Sequence, residues 1–332
     1  MASARFLEIL RCNGVDQTAT PYPGMVVPFG GENQVVLETA GMPAVVKHDT
    51  LNLQEFNGYE LTTKLLQGVQ RGLSEPGVDP QQRDAFMPST NWQRPRFFRV
   101  LGTIKTGFPG TYLNARLAGS GPATLQVAVV DQIVLKVAIR NVRTRDAQGR
   151  MRYHAKRPCD PAAEVARMNA IWRPQTNIIF ELVPSTDVDV DHDDAQTREE
   201  LRVAYGMKDP PTFLAESTVW ADKNSGWFAK HRVAGAHMTF FVVHKLLSGG
   251  NPANGRGGEF PNGTMNRQSG VAFIADSRLP STFAHEAGHF VGDMGHDGAD
   301  IKLLMRGEGA GFKIPFELAK KFRESLAKRR IQ

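Results

Sequence analysis

Three histidines and one glutamate in the last fifth of the chain are sufficient to form a zinc hydrolase site. Residues 285–289 read H-E-A-G-H and match the H-E-x-x-H pattern. On a helix, side chains four residues apart lie on one face with Cβ atoms about 5–6 Å apart, so His285 and His289 can bind one ion. Glu286 lies one step round the helix and can reach a water molecule bound to that ion.

The flanking residues predict that this segment is a helix with one buried face. At about 100° per residue, Phe283, Ala287 and Phe290 fall on one stripe, and the two histidines fall opposite it. Pro280 and Ser281 stand where a helix start is expected. The apolar stripe would therefore anchor the helix and leave the histidines facing a cleft.

The residues after the helix supply a third ligand. Gly292 can end the helix in a left-handed turn, which residues with a Cβ atom resist, so that the chain doubles back and brings His296 to the metal. The mostly apolar segment 303–306 follows, and its Met305 stands nine residues after His296.

The stretch 285–305 resembles the metzincin clan of zinc peptidases. Their motif is H-E-x-x-H-x-x-G-x-x-H, followed by a turn that carries a methionine beneath the metal. The residues that match directly are His285, Glu286, His289, Gly292 and Met305. The resemblance extends more loosely over residues 132–330.

The third histidine departs from the family pattern. The pattern places it where Gly295 stands, and His296 comes one residue later. A one-residue bulge would account for the shift, because glycine tolerates unusual dihedral angles. Asp293 is the alternative ligand, since some relatives of the clan use an aspartate. The preference of zinc for imidazole in three-ligand catalytic sites favours His296.

The resemblance implies a zinc-dependent endopeptidase. Zinc lowers the pKa of a bound water molecule to about 7, and Glu286 would act as the general base that takes its proton. Met305 would form an apolar floor under the ligands. A peptide substrate would pair with the strand before the zinc helix as an added strand. The candidate substrate-binding residues are therefore Gly270, Val271, Ala272 and Phe273; the alternative is that loops cover this edge.

Two other functions remain open at this stage. One is a zinc amide hydrolase that acts on a non-protein substrate such as a cell-wall crosslink. The other is a secreted toxin or effector module with a vestigial zinc site. The intact Glu286 argues against the second, because decayed sites usually lose the base first.

Composition indicates two soluble domains. The chain has 332 residues, a net charge of +6 and two cysteines, Cys12 and Cys159, which exclude a disulfide framework but not a single bridge. No apolar run is long enough to span a membrane, and the N-terminus lacks the apolar core of a signal peptide. We expect the protein in the cytoplasm or exported by a signal-less route.

Basic clusters within 140–157 and 320–330 carry no nucleic-acid motif, so we expect solvated faces and no nucleic-acid partner.

Residues 1–131 are predicted to form an all-β, sandwich-like domain. Short β-prone runs lie at 35–37, 44–46, 97–101 and 124–130, separated by Gly, Pro and Asn turns. The stretches 107–116 and 125–130 loosely resemble the last strands of bacterial immunoglobulin-like domains. Such a domain would serve attachment, spacing or substrate recruitment, and would be the docking place for an inhibitor or a delivery partner.

Residues 132–332 are predicted to form the peptidase domain, which makes the fold class α+β. Strands are expected at 133–142, 176–183, 237–247 and 265–274. A helix should start at Asp160 and Pro161 and end at Pro174. Leu318, Phe322 and Leu326 give a terminal helix an apolar stripe. In the metzincin resemblance these elements form a twisted mixed sheet, an active-site helix, a methionine turn and a C-terminal helix.

An acidic run at 187–194 begins like a calcium loop. It lacks the glycine at position six and the glutamate at position twelve of an EF-hand, where His192 and Arg198 stand. A Ca²⁺ site of another type and a solvated loop both remain open, and the loop is the simpler interpretation.

Overall fold

The computed structural model describes most of the secondary structure of the chain. The described residues are 4–7, 15–39, 44–48, 51–57, 95–117, 122–145, 150–153, 155–189, 212–214, 231–243, 245–248, 251–252, 255–259, 270–292, 296, 303–306 and 311–329. Within these ranges no helix has the length and hydropathy that crossing a membrane requires.

The described residues of the N-terminal part form nine strands in two sheets. The strands are β1 (Ala4–Leu7), β2 (Val15–Asp16), β3 (Gly24–Pro28), β4 (Glu32–Thr39), β5 (Ala44–His48), β6 (Asn52–Phe56), β7 (Pro95–Leu101), β8 (Thr111–Leu117) and β9 (Ala123–Val130). One sheet has the order β1-β4-β7-β6 and the other has the order β2-β3-β9-β8-β5. Apolar side chains from both sheets form one core. The predicted β-rich character of 1–131 is thus confirmed over the described residues.

The C-terminal part combines a mixed sheet with three helices among the described residues. Its elements are β10 (Ile133–Arg145), β11 (Met151–Tyr153), α1 (Pro161–Thr176), β12 (Ile178–Leu182), β13 (Val188–Asp189), β14 (Thr212–Leu214), β15 (Met238–Val242), β16 (Lys245–Ser248), β17 (Asn251–Pro252), β18 (Gly255–Glu259), β19 (Gly270–Ile274), α2 (Thr282–Gly292) and α3 (Phe316–Lys328). The chain is therefore a mixed α+β protein, as its sequence predicts.

Four parallel strands and one antiparallel strand form the centre of the mixed sheet. β12, β10, β15 and β19 are parallel neighbours in that order, and β18 pairs with β19 in the antiparallel direction at the outer edge. β11 and β13 pair with the last residues of the long strand β10. The central strands β15 and β19 are buried along their whole length, which fits their continuous apolar sequences.

Helix α1 starts as its sequence predicts and ends later. The Asp160 side chain accepts a hydrogen bond from the Ala162 amide at 2.9 Å, and Pro161 fills the first helical position. The prediction that Pro174 ends the helix is wrong, because the helix continues to Thr176 and ends at Asn177 in a left-handed conformation. One side-chain bond and one backbone bond stabilise the last turn, since Thr176 Oγ1 donates to the Trp172 carbonyl and the Asn177 amide donates to the Arg173 carbonyl.

Two of the predicted strands have other bounds. The run at 237–247 is divided: β15 ends at Val242, and β16 belongs to a separate three-stranded sheet with β14 and β17. β19, one of the two partners of β15, ends at the same level as β15 itself, and the sequence of this run does not show that the chain changes sheets there. The expected strand at 265–274 is confirmed from Gly270 onwards, and 265–269 lie outside the described residues.

The two parts of the chain share buried surface across strand β9. Its Val127 and Val129 side chains belong to the core between the two N-terminal sheets. Ala128 and Val130 point the other way and belong to the core that contains the helices and the mixed sheet. Alternation along one strand thus buries both faces of the five-stranded sheet. The division of the chain at residue 131 stays a prediction, and the interface at that division is apolar.

Hydrogen bonds reinforce this interface at several points. Asp16 Oδ2 accepts from the backbone amide of Phe316, the first residue of α3, at 2.8 Å. Asn33 Nδ2 donates to the Pro174 carbonyl at 3.0 Å. The guanidinium of Arg323 donates to the carbonyls of Thr176 and Asp131, and its burial lowers the pKa of Arg323 to about 10. The expectation of a solvated basic face at 320–330 is therefore wrong for Arg323.

Replacing Asp16 with alanine is expected to destabilise the whole chain. Asp16 is 4% exposed and accepts the amide at the start of α3, so Asp16→Ala leaves a buried donor unsatisfied. We expect a loss of about 1–3 kcal/mol in the free energy of unfolding. Glu55→Ala is the control, since Glu55 forms an exposed ion pair with Arg96 and its loss costs at most about 1 kcal/mol. Equal losses in urea unfolding of the two variants would contradict this role of Asp16.

Candidate metal centre

Helix α2 is held in place by its apolar face, as the spacing predicts. Phe283, Ala287 and Phe290 are buried in the core, and the Phe283 ring packs against Phe240 of β15 at a centroid distance of 5.1 Å. The indole Nε1 of Trp172 in α1 donates to the Ala284 carbonyl at 3.2 Å. The helix starts at Thr282, whose Oγ1 accepts from the Leu279 amide. These contacts fix the face that carries the histidines.

The three predicted histidines meet on the other side of this helix. The Nε2 atoms of His285 and His289 are 3.2 Å apart. His296 completes the cluster, with ring centroids 5.3 Å from His285 and 5.0 Å from His289. One ring nitrogen from each residue lies within 4.8 Å of the others. The alternative ligand Asp293, and Gly295 with it, lie outside the described residues.

His285 is oriented by a backbone carbonyl. Its Nδ1 lies 2.5 Å from the Leu304 carbonyl oxygen. A carbonyl can only accept a hydrogen bond, so Nδ1 carries the proton and Nε2 offers its lone pair to the cluster. Burial lowers the pKa of His285 to about 4, so the imidazole is neutral at pH 7 and ready to bind a metal ion.

Met305 lies directly under the metal-binding helix. The segment 303–306 forms a turn, and Met305 in it is fully buried. A Cβ atom built on Gly288, between the two histidines of the helix, would overlap the Met305 Sδ atom. Gly288 is therefore a position at which the helix closely approaches the methionine turn, and an alanine there would require the Met305 side chain to shift.

Glu286 is buried next to His285 on the same helix, with 3% of its surface exposed. Its position in the chain places a carboxylate one residue from the buried histidine ligand. Ionised carboxylates are rarely this buried without a functional or structural reason. The structure thus brings together, on or beside one helix, the residues that the sequence predicts for the site.

Two supporting contacts could not be anticipated from sequence spacing. The Arg329 guanidinium in the turn after α3 donates to the Phe290 carbonyl at 2.6 Å and lies over the Phe290 ring, so it caps the last turn of α2. His285 contacts the backbone carbonyl of Leu304. Every residue has such a carbonyl, so the amino-acid sequence carries no signal of this contact. Both contacts join segments far apart in the chain.

The structure corrects the predicted substrate-binding strand. Gly270, Val271, Ala272 and Phe273 lie in β19, which is buried and hydrogen-bonded to β15 on one side and to β18 on the other. A peptide cannot add to a strand whose two edges are occupied. Gly270 also packs closely against the Phe290 ring, which gives this residue a structural role. The open edge of the sheet belongs to β18, which lies alongside α2.

The described part of the acidic run makes contacts with protein groups. Asp189 forms an ion pair with Arg143 at 2.7 Å, and Asp187 Oδ1 accepts from Asn141 at 3.3 Å. Residues 190–194 lie outside the described residues, so the Ca²⁺ hypothesis stays a prediction.

Cys159 is a buried free thiol, and burial raises its pKa to about 12. It is not involved in the site.

Comparison with known proteins adds no assignment. No protein-family model matches the sequence, and no curated protein matches it significantly. The site must therefore be interpreted from its own geometry.

Exchanging Gly288 for alanine tests the close approach of the helix to Met305. Overpacking should cost about 1–3 kcal/mol, which exceeds the gain of about 0.8–1.0 kcal/mol in helix propensity. In a Met305→Ala background the added methyl group fills vacated space, so Gly288→Ala should there be neutral or stabilising. Urea unfolding of the four proteins measures this cycle. An equal effect of Gly288→Ala in both backgrounds would show that the two residues do not contact each other.

Proposed function

We propose that this protein is a zinc-dependent endopeptidase whose metal ligands are His285, His289 and His296 and whose general base is Glu286. The observation that carries the proposal is the convergence of three imidazole nitrogens within 4.8 Å beside a buried glutamate. Three protein ligands leave a fourth position of a tetrahedral zinc ion for water or substrate, as catalytic zinc sites require.

The donor set fits zinc. Two nitrogen atoms that bind one zinc ion at about 2.0–2.1 Å lie about 3.3–3.4 Å apart in tetrahedral geometry, and the His285 and His289 Nε2 atoms are 3.2 Å apart. The contact from Leu304 fixes the tautomer of His285, which is the usual outer-shell arrangement for a histidine ligand. When bound, zinc would supply a Lewis acid that acidifies water and polarises a carbonyl group.

Glu286 would perform the proton transfers. Its carboxylate would accept a proton from the attacking water molecule and deliver it to the departing amine, which completes hydrolysis of the amide. The position of Glu286 favours this role, since the residue is buried beside His285 on the same helix.

The edge strand β18 is the place where an extended peptide would bind. Among the described residues its backbone pairs with β19 on one side only, and it lies along α2. Three of the five residues of β18, at positions 255, 257 and 258, are glycines, so a peptide backbone can approach the strand closely. A polypeptide substrate added to β18 would pass in front of the histidine-bearing helix.

The arrangement of elements supports the metzincin resemblance as part of this proposal. Its support is a mixed sheet followed along the chain by the helix with H-E-x-x-H, the turn that contains Met305 and a terminal helix. The two facing sheets of 1–131 likewise support an immunoglobulin-like accessory domain, on which an inhibitor or a delivery partner would dock.

Replacing Glu286 with glutamine should abolish peptide cleavage and leave zinc bound. The exchange keeps the size of the side chain but removes the base, so we expect kcat/KM on unfolded protein substrates to fall by about 10²–10⁴. Zinc content per chain should stay the same as in the parent protein. Cleavage that persists at the parental rate in Glu286→Gln, or a parent that binds zinc without cleaving peptides, would contradict the peptidase proposal.

The third ligand can be assigned from zinc affinity. We expect His285→Ala, His289→Ala and His296→Ala each to weaken zinc binding at least about tenfold, because each removes one nitrogen of a three-ligand site. Asp293→Ala should bind zinc like the parent protein. Competition with a chromogenic chelator provides the measurement. If Asp293→Ala loses zinc and His296→Ala retains it, the assignment of His296 is wrong.

A further inference from the structure

We propose that strand β2 of the N-terminal sheet positions the metal ligand His285, and that Lys313 is the positioning residue that transmits this constraint. The inference rests on the proposed metal centre and adds a role for the N-terminal part of the chain. Three consecutive hydrogen bonds join the two places, from Val15 in β2 through Lys313 and Leu304 to His285.

The first link is the contact that aims the imidazole. The Leu304 carbonyl oxygen lies 2.5 Å from His285 Nδ1, so the position of this carbonyl determines where Nε2 points. Leu304 belongs to the same short turn as the buried Met305. A turn of four residues has few hydrogen bonds of its own, so its position depends on what packs and bonds against it.

The second link holds that turn. The Leu304 amide donates to the Lys313 carbonyl at 2.8 Å, and Leu303 and Lys313 form an isolated parallel bridge. Leu304 is therefore bonded through both of its backbone polar groups, with Lys313 at its amide and with His285 at its carbonyl. A displacement of Lys313 would move the carbonyl that orients His285.

The third link reaches the N-terminal sheet. Lys313 Nζ donates to the Val15 carbonyl at 2.7 Å. Val15 pairs with Met25 on one side of β2, and β2 is the edge strand of its sheet, so its other side is open to this bond. A lysine that ends on a backbone carbonyl of a buried strand residue is held in place, whereas most lysines extend into solvent.

The segment around Lys313, residues 311–316, ends at the first residue of α3 and is attached on alternate sides. Phe312 and Ile314 are buried in the core, and Gln175 of α1 bonds to the backbone of both, at 2.8 and 2.9 Å. Lys313 points the opposite way, towards β2. At the end of the segment, Asp16 of β2 accepts the Phe316 amide. Helix α1 and strand β2 thus hold the segment from two directions.

The test compares Lys313→Met with the parent protein in zinc affinity. Methionine keeps most of the length of the side chain but cannot donate to Val15, and we expect zinc to bind about tenfold more weakly, at the lower end of the effect of residues that orient metal ligands. Lys313→Arg retains a donor and should restore most of the affinity. An unchanged affinity in Lys313→Met would overturn the inference.

Asn33→Ala is the matched control. Asn33 also joins the N-terminal part to the rest of the chain, through the Pro174 carbonyl, but it has no bond to the segment 311–316 among the described contacts. We expect it to lower the free energy of unfolding and to leave zinc affinity unchanged. If Asn33→Ala weakens zinc binding as much as Lys313→Met, the effect is general destabilisation and the positioning role is refuted.

Hydrogen exchange in the metal-free protein separates this inference from the proposed function. Loss of the bond from Lys313 to Val15 should raise the exchange rate of the Leu304 amide about tenfold in Lys313→Met and leave it unchanged in Asn33→Ala. A parent protein that binds no zinc contradicts the proposed function and with it the role at a metal centre. Parental zinc binding together with unaltered exchange and affinity in Lys313→Met contradicts the positioning role alone.

Discussion

The orientation of one buried imidazole is the constraint on which the site depends. The orientation of the His285 ring is fixed, because its Nδ1 faces the Leu304 carbonyl and the core surrounds the ring. Burial keeps it neutral, and the carbonyl selects the tautomer that leaves Nε2 free. His289 and His296 are progressively more exposed, so the buried histidine defines the centre and the other two complete it.

This constraint connects the site to distant parts of the fold. Helix α2 is fixed by Trp172 of α1, by Phe240 of β15 and at its end by Arg329. The methionine turn is fixed by residues 311–316, which bond in turn to α1 and β2. The N-terminal sheet is packed on its second face against the same core. Stability of the N-terminal part and geometry of the metal centre are for this reason physically linked.

Local sequence predicts those features that local physics determines. The spacing of His285 and His289, the opposing apolar stripe and the cap at Asp160 are helix properties, and the structure contains each of them. The class α+β follows from the change of periodicity near residue 132.

Other features depend on partners that are distant in the chain, so the sequence could not reveal them. The last turn of α1, beyond Pro174, bonds to distant residues, since Gln175 donates to the Phe312 carbonyl and Arg323 donates to the Thr176 carbonyl. The position of β19 inside the sheet depends on the pairing of β18, whose glycine-rich sequence resembles a loop. The roles of Leu304 and Lys313 arise from backbone contacts across long separations.

The most direct test of the metal centre is a crystal structure of the zinc-loaded protein with anomalous data collected on both sides of the zinc absorption edge. The account predicts one strong anomalous peak bound by Nε2 of His285, Nε2 of His289 and a ring nitrogen of His296, with His285 Nδ1 still facing the Leu304 carbonyl. A peak elsewhere in the protein, or zinc bound without His285, would contradict it.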